Sequence, residues 1–119
     1  MKDYSKIVSE YNTGMGKLAE DIPGTVKAFS DLVGAATQDE ALSKKVKELI
    51  AFGIAITVRC DGCIAAHASS VLEAGATRQE VAEMIGVAIL MGGGPSSVYG
   101  VEAMRAYEQC AAAQPAAAQ

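Results

Sequence analysis

Two cysteines and the only histidine of the chain fall within eight residues, Cys60-Asp61-Gly62-Cys63-Ile64-Ala65-Ala66-His67. The Ala content favours a helix here, and each helical residue turns the face by roughly 100°. Cys60, Cys63 and His67 then lie near about 0°, 300° and 340°, a single stripe. Cys63 and His67 stand at i and i+4, so the imidazole can reach the sulfur. A CxxC that opens a helix is a redox arrangement, because the helix N-terminus favours negative charge and stabilises a thiolate. The second thiol, one turn away, is placed to close a disulfide with the first.

That chemistry sets a requirement. A thiol of ordinary pKa, about 8.5, is mostly protonated at neutral pH, and the thiolate is the nucleophile. A base or a stabilising field is needed, and His67 can supply either, better so if a carboxylate orients its other nitrogen. Glu48 is the candidate. In an antiparallel pair of helices, Glu48 lies roughly 15 Å from the turn at Val58 to Asp61 and His67 roughly 9 Å. The mismatch of about one turn is within reach of a Glu side chain or a bridging water. By spacing alone, Glu48 reads rather as a solvated member of the Lys44–Glu48 run. The bland reading of Cys60 and Cys63 is two small buried residues, and that of His67 is a core histidine satisfied by a carbonyl. The coincidence of CxxC, helix start and sole histidine weighs against both.

Cys60, Cys63, His67 and Glu48 could also ligate a metal, but zinc sites generally draw on two separate elements. The chain has no second CxxC and no HxxxH, so no metal is expected. The third cysteine, Cys110, reads as a small apolar filler near the end of the last helix.

The elements that must position this site are helical. The chain has 119 residues, enough for one domain, and 50% are hydrophobic with only two Phe, four Tyr and no Trp. A core of Ala, Val, Ile, Leu and Met suits close-packed helices. A net charge of −4 without a basic block excludes nucleic acid as a natural partner. The N-terminus carries no visible signal peptide, and the longest apolar run, Leu49 to Val58, is about half a bilayer span. The expectation is a soluble cytoplasmic protein, where a CxxC is catalytic or metal-binding rather than a structural staple.

Helical spacing of Ile7, Val8, Tyr11, Met15 and Leu18 predicts a first helix from about Lys2 to Glu20, weakened by Gly14 and Gly16. Pro23 starts a second through Phe29 and Leu32, closed by Gly34 to Thr37. A third, about Asp39 to Val58, begins polar and becomes apolar all round, which requires burial on every side. In so small a domain another subunit is the natural cover, so an obligate oligomer is expected. Thr57 to Asp61 forms a turn with Asp61 as N-cap, and the CxxC helix runs to about Ala74 before Gly75. Thr77-Arg78-Gln79-Glu80 is a capping box opening a helix that stops at Gly92-Gly93-Gly94. Pro95 starts the last helix, through Tyr107. No segment alternates as a strand does. The prediction is an all-α fold of about six helices in a single domain over residues 1–110, with a frayed, Ala-rich tail over 111–119.

The pattern Glu48-x11-Cys60-x2-Cys63-x3-His67 resembles the alkylhydroperoxidase D-like proteins of the carboxymuconolactone decarboxylase superfamily. So does the stretch Glu73-Ala74-Gly75-Ala76-Thr77-Arg78-Gln79-Glu80-Val81, followed by an apolar helix and Gly92-Gly93-Gly94-Pro95. The likeness covers roughly Asp39 to Glu108. It implies packed helices assembled as trimers or hexamers, with no bound cofactor. It further implies reduction of hydroperoxides, with electrons from a dihydrolipoyl protein or another dithiol donor. Glu48 and His67 would then form a proton relay through water, Cys63 would attack the peroxide, and Cys60 would resolve. One departure is local: the redox archetype has a histidine just before the second cysteine, where this chain has Gly62. Two other readings remain at this point. One is a lactone decarboxylase-like enzyme independent of thiols; the other is a redox-responsive oligomeric binding protein.

Overall fold

The computed structural model describes residues 2–114. Among them are six helices: α1 (Tyr4–Asp21), α2 (Pro23–Ala36), α3 (Lys44–Val58), α4 (Asp61–Glu73), α5 (Arg78–Gly92) and α6 (Gly94–Ala113). The fold is all-α. The last helix runs to Ala113, three residues into the stretch expected to fray, and residues 115–119 lie outside the described residues.

Local chemistry explains the boundaries. Asp3 caps α1 by accepting from the Lys6 N–H, Pro23 occupies the first turn of α2, and Thr77 with Glu80 closes a capping box at α5. The third helix starts later than its polar run suggests. Ser43 accepts from the Val46 N–H at 3.1 Å, and Asp39 accepts from the Lys44 N–H at 2.6 Å. Asp39 and Ser43 therefore cap α3 from outside, because their short polar side chains satisfy free N–H groups better than they extend a helix.

Helix α4 is the centre of the packing, set against α1, α3 and α6, while α5 closes on α3 and α6. Its Ile64, Ala65, Ala68 and Val71 are buried with Phe52 and Ile56 of α3, Val81 and Ile85 of α5, and Ala103 and Ala106 of α6. Each of the larger aliphatic or aromatic side chains contributes about 1.5–3 kcal/mol by leaving water. Tyr107 is buried too, and its hydroxyl donates to the Ala76 carbonyl at 2.8 Å, tying α6 to the α4–α5 loop.

Helix α3 is not enclosed on all sides within one chain. Glu48, Phe52, Ala55 and Ile56 face inward, whereas Ile50, Ile54 and Val58 are exposed. On α5, Val87, Leu90 and Met91 are exposed likewise, and α2, packed on α1, buries none of its residues. These apolar faces are far more extensive than a few scattered surface residues.

The joint between α3 and α4 is a Schellman turn. Cys60 N–H bonds to the Ala55 carbonyl and Arg59 N–H to the Ile56 carbonyl, each at 3.2 Å. The α4–α5 joint repeats the motif, from Ala76 to Val71 and from Gly75 to Leu72. There the left-handed residue is Gly75 (φ 88°), but before the CxxC it is Arg59 (φ 60°). A side chain in that conformation costs about 1 kcal/mol relative to glycine. Arg59→Gly is expected to raise unfolding stability by about 0.5–1 kcal/mol, measured by urea denaturation.

Candidate active site

The left-handed turn makes Cys60, rather than Asp61, the N-cap of α4. Its Sγ accepts from the Cys63 N–H at 3.2 Å, the role that a serine or aspartate oxygen fills at other helices. Asp61 is the first helical residue. Cys60 and Cys63 are joined by a disulfide, with Cα atoms 5.2 Å apart.

The same turn sets the depth of the two helices. Because Cys60 N–H reaches back to Ala55, α4 starts level with Ala55 and not beyond Val58. Glu48 lies seven residues from Ala55, and His67 seven from Cys60, so both sit about 10 Å from the joint. The mismatch inferred from sequence vanishes. Glu48 Oε1 faces His67 Nδ1 directly at 3.3 Å. Glu48 is 4% exposed, so it is no solvated member of a charged run. The two atoms are buried and lack any other partner among the described residues, and the ring N–H stands off the line to the oxygen.

A buried carboxylate is expensive unless a donor faces it, and the imidazole is the group placed to do so. A carboxylate opposite Nδ1 also selects the tautomer that carries its proton there, leaving Nε2 for proton transfer. His67 is partly open, its side chain 27% exposed. With Cys63 it lines a cavity of about 240 Å³ whose other walls are Ala51, Ile54, Ala55 and Val58. The mouth is thus aliphatic apart from one sulfur and one imidazole. Those four wall residues were not singled out from the sequence, although their spacing of three, one and three is one helical face. A helix apolar on all sides gave no way to choose that face.

Among the described residues no cluster of His, Cys, Asp and Glu has the arrangement of a metal site. Cys110 is not part of this centre. It lines a separate groove of about 300 Å³ between α1, α4 and α6, together with Tyr4, Ser69 and Glu73.

An all-α fold carrying a glutamate, a CxxC at a helix start and a histidine one turn on defines an alkylhydroperoxidase D-like protein. The chain belongs to the carboxymuconolactone decarboxylase family, whose profile matches residues 23–106. It is similar to an uncharacterised protein of Cupriavidus necator, 38% identical over 106 residues that span 89% of this chain and 94% of that one. An uncharacterised protein encoded in the cox locus of Paracoccus denitrificans is 32% identical over 69% of this chain and 74% of its own. Among solved structures, apo-lpg0406, a carboxymuconolactone decarboxylase family protein from Legionella pneumophila, superposes with a TM-score of 0.88. It is 42% identical, with 90% of this chain and 96% of that one covered.

Burial pushes the Cys110 thiol above its ordinary pKa, with the Glu73 carboxylate adding to the shift. A raised thiol pKa means less thiolate at neutral pH. After reduction, limited iodoacetamide labelling at neutral pH is expected to modify the CxxC pair first and Cys110 only as the pH rises, read by peptide mass mapping.

Proposed function

We propose that this chain is a CxxC-dependent peroxidase that reduces alkyl hydroperoxides in antioxidant defence and cycles through a Cys60–Cys63 disulfide. The observation that carries the reading is the shared position of the CxxC and the Glu48-backed His67 at one small aliphatic cavity. In the reduced enzyme His67 takes the proton of the Cys63 thiol at Nε2, and the thiolate so formed, stabilised by the α4 N-terminus, attacks a peroxide oxygen. An S–O bond forms, the O–O bond breaks, and the departing alkoxide takes a proton from His67 to leave as the alcohol. Glu48 holds the imidazole in the tautomer and orientation for that transfer and stabilises the imidazolium when it forms. Cys60 then gives up its proton and attacks the Cys63 sulfenic acid; the S–S bond forms, the S–O bond breaks, and water leaves. A dithiol donor, such as a dihydrolipoyl protein, returns the two electrons by thiol–disulfide exchange.

The aliphatic walls suit an uncharged alkyl group. They are a poor match for a carboxylated lactone, since none of the six lining side chains is a permanent cation. The lactone decarboxylase reading nevertheless has a base in the His67–Glu48 pair that needs no sulfur. The exposed apolar residues of α2, α3 and α5 support assembly into a homo-oligomer; a trimer or hexamer is what the family resemblance implies, and the reducing cytoplasm is where such a cycle would run.

Cys63→Ser should abolish consumption of cumene hydroperoxide by the reduced protein. Cys60→Ser should consume one equivalent and stop at a sulfenic acid that a dimedone probe captures. Equal, full turnover in both variants would contradict the proposed cycle. Lactone turnover that survives complete thiol alkylation would instead establish the decarboxylase reading. Glu48→Gln is expected to slow single-turnover peroxide reduction by about 10–100-fold while leaving the disulfide able to form.

A further inference from the structure

Asp61, between the two active-site cysteines, is held by a residue almost sixty positions away. Lys2 Nζ lies 2.9 Å and 3.0 Å from its two carboxylate oxygens. Surface ion pairs are weak when both side chains are free to move. Here the cation is fixed from several directions. Gln109 of α6 donates to the Lys2 carbonyl at 2.9 Å and accepts from the Tyr4 N–H at 2.9 Å, clamping the backbone on either side of Asp3. The Lys2 ammonium also sits 5.7 Å from the centre of the Tyr99 ring. The segment before α1 thus forms a strap from α6 to the first turn of α4.

That turn is where the thiolate has to form. The partial positive charge of the α4 N-terminus favours any anion placed there, and an unneutralised Asp61 carboxylate would compete for it and repel a thiolate beside it. We propose that Lys2 is a positioning residue for the CxxC: it pins and neutralises Asp61, so that the field of the α4 N-terminus remains available to the active-site thiolate. The inference rests on the thiol chemistry assigned to Cys60 and Cys63 above. The charged and titratable groups around this turn are Lys2 on the strap, Tyr4 of α1, Tyr99, Glu102 and its partner Arg105 of α6, Arg59 at the α3–α4 joint, and Glu48 and His67 on the other side. Glu102 acts on Lys2 in the same sense as Asp61, which favours the ammonium form. Of these groups, Lys2 is the one bonded to the Asp61 carboxylate.

The test is the pH profile of iodoacetamide alkylation on reduced protein, in a Cys110→Ala background so that only the CxxC pair reacts. Lys2→Met should raise the apparent thiol pKa of the pair by about half a pH unit and slow alkylation at neutral pH about threefold. Lys2→Arg should restore the original profile, and in an Asp61→Asn background, where the lysine has lost its anchor and its charge is screened by solvent, Lys2→Met should move the profile clearly less. A strap that was only structural would lower thermal stability without moving the profile. An unchanged profile in Lys2→Met, or an equal shift in the Asp61→Asn background, would overturn the proposal. No peroxide enters the assay, so a failure of the peroxidase reading leaves this result distinct.

Discussion

The site depends on how tightly the chain turns between α3 and α4. A pair of backbone hydrogen bonds, from Cys60 to Ala55 and from Arg59 to Ile56, folds the CxxC helix back against α3 with almost no loop. That compactness brings Glu48 level with His67, places the Cys60 sulfur at the helix cap, and sets Cys63 above the aliphatic face of Ala51, Ile54, Ala55 and Val58. A looser connection would displace α4 along α3 by about 1.5 Å per residue inserted, and one turn of slip would part the carboxylate from the imidazole. The turn is held although its left-handed residue is Arg59 rather than glycine. The burial of Ile56 and Phe52 below it and of Ile64 and Ala65 after it outweighs a penalty of about 1 kcal/mol.

At the start of α4 three roles fall on neighbouring residues. Cys60 caps the helix, Asp61 occupies its first turn, and Cys63 follows in the same turn with its N–H bonded to the Cys60 sulfur. Each is favoured by the same unsatisfied N–H groups, so negative charge on one weakens the others. The Glu48–His67 pair approaches from the opposite side with its facing atoms buried, whereas the Lys2–Asp61 pair is exposed. A buried carboxylate–imidazole pair and an outer ion pair therefore bracket the CxxC.

Much of this was legible in the chain itself, because helix ends are written in local chemistry. Pro23, the Thr77–Glu80 box, Gly75 and Gly93 mark boundaries through backbone conformation and capping, and the structure follows them. The stretch 39–43 misled because capping residues and the polar residues of a helix's first turn look alike in sequence. Asp39 and Ser43 are used for their side-chain oxygens and not for helix propensity. The CxxC and His67 stand out by type and spacing. Glu48 does not, since a lone glutamate beside lysines looks solvated, and its burial follows from a backbone bond between residues 55 and 60 that no side-chain pattern announces. The clamp on Asp61 is harder still to foresee, joining positions at opposite ends of the sequence through Gln109 of the last helix.

The central claim is that the two thiols of the CxxC, and no others, take up the oxidising equivalents of a peroxide. The direct measurement adds one equivalent of an organic hydroperoxide to fully reduced protein, counts the remaining thiols and the alcohol formed, and maps any new disulfide. The account predicts that one of the three thiols survives, at Cys110, with a Cys60–Cys63 link and one alcohol per chain. An unchanged thiol count, or a link that includes Cys110, would contradict it.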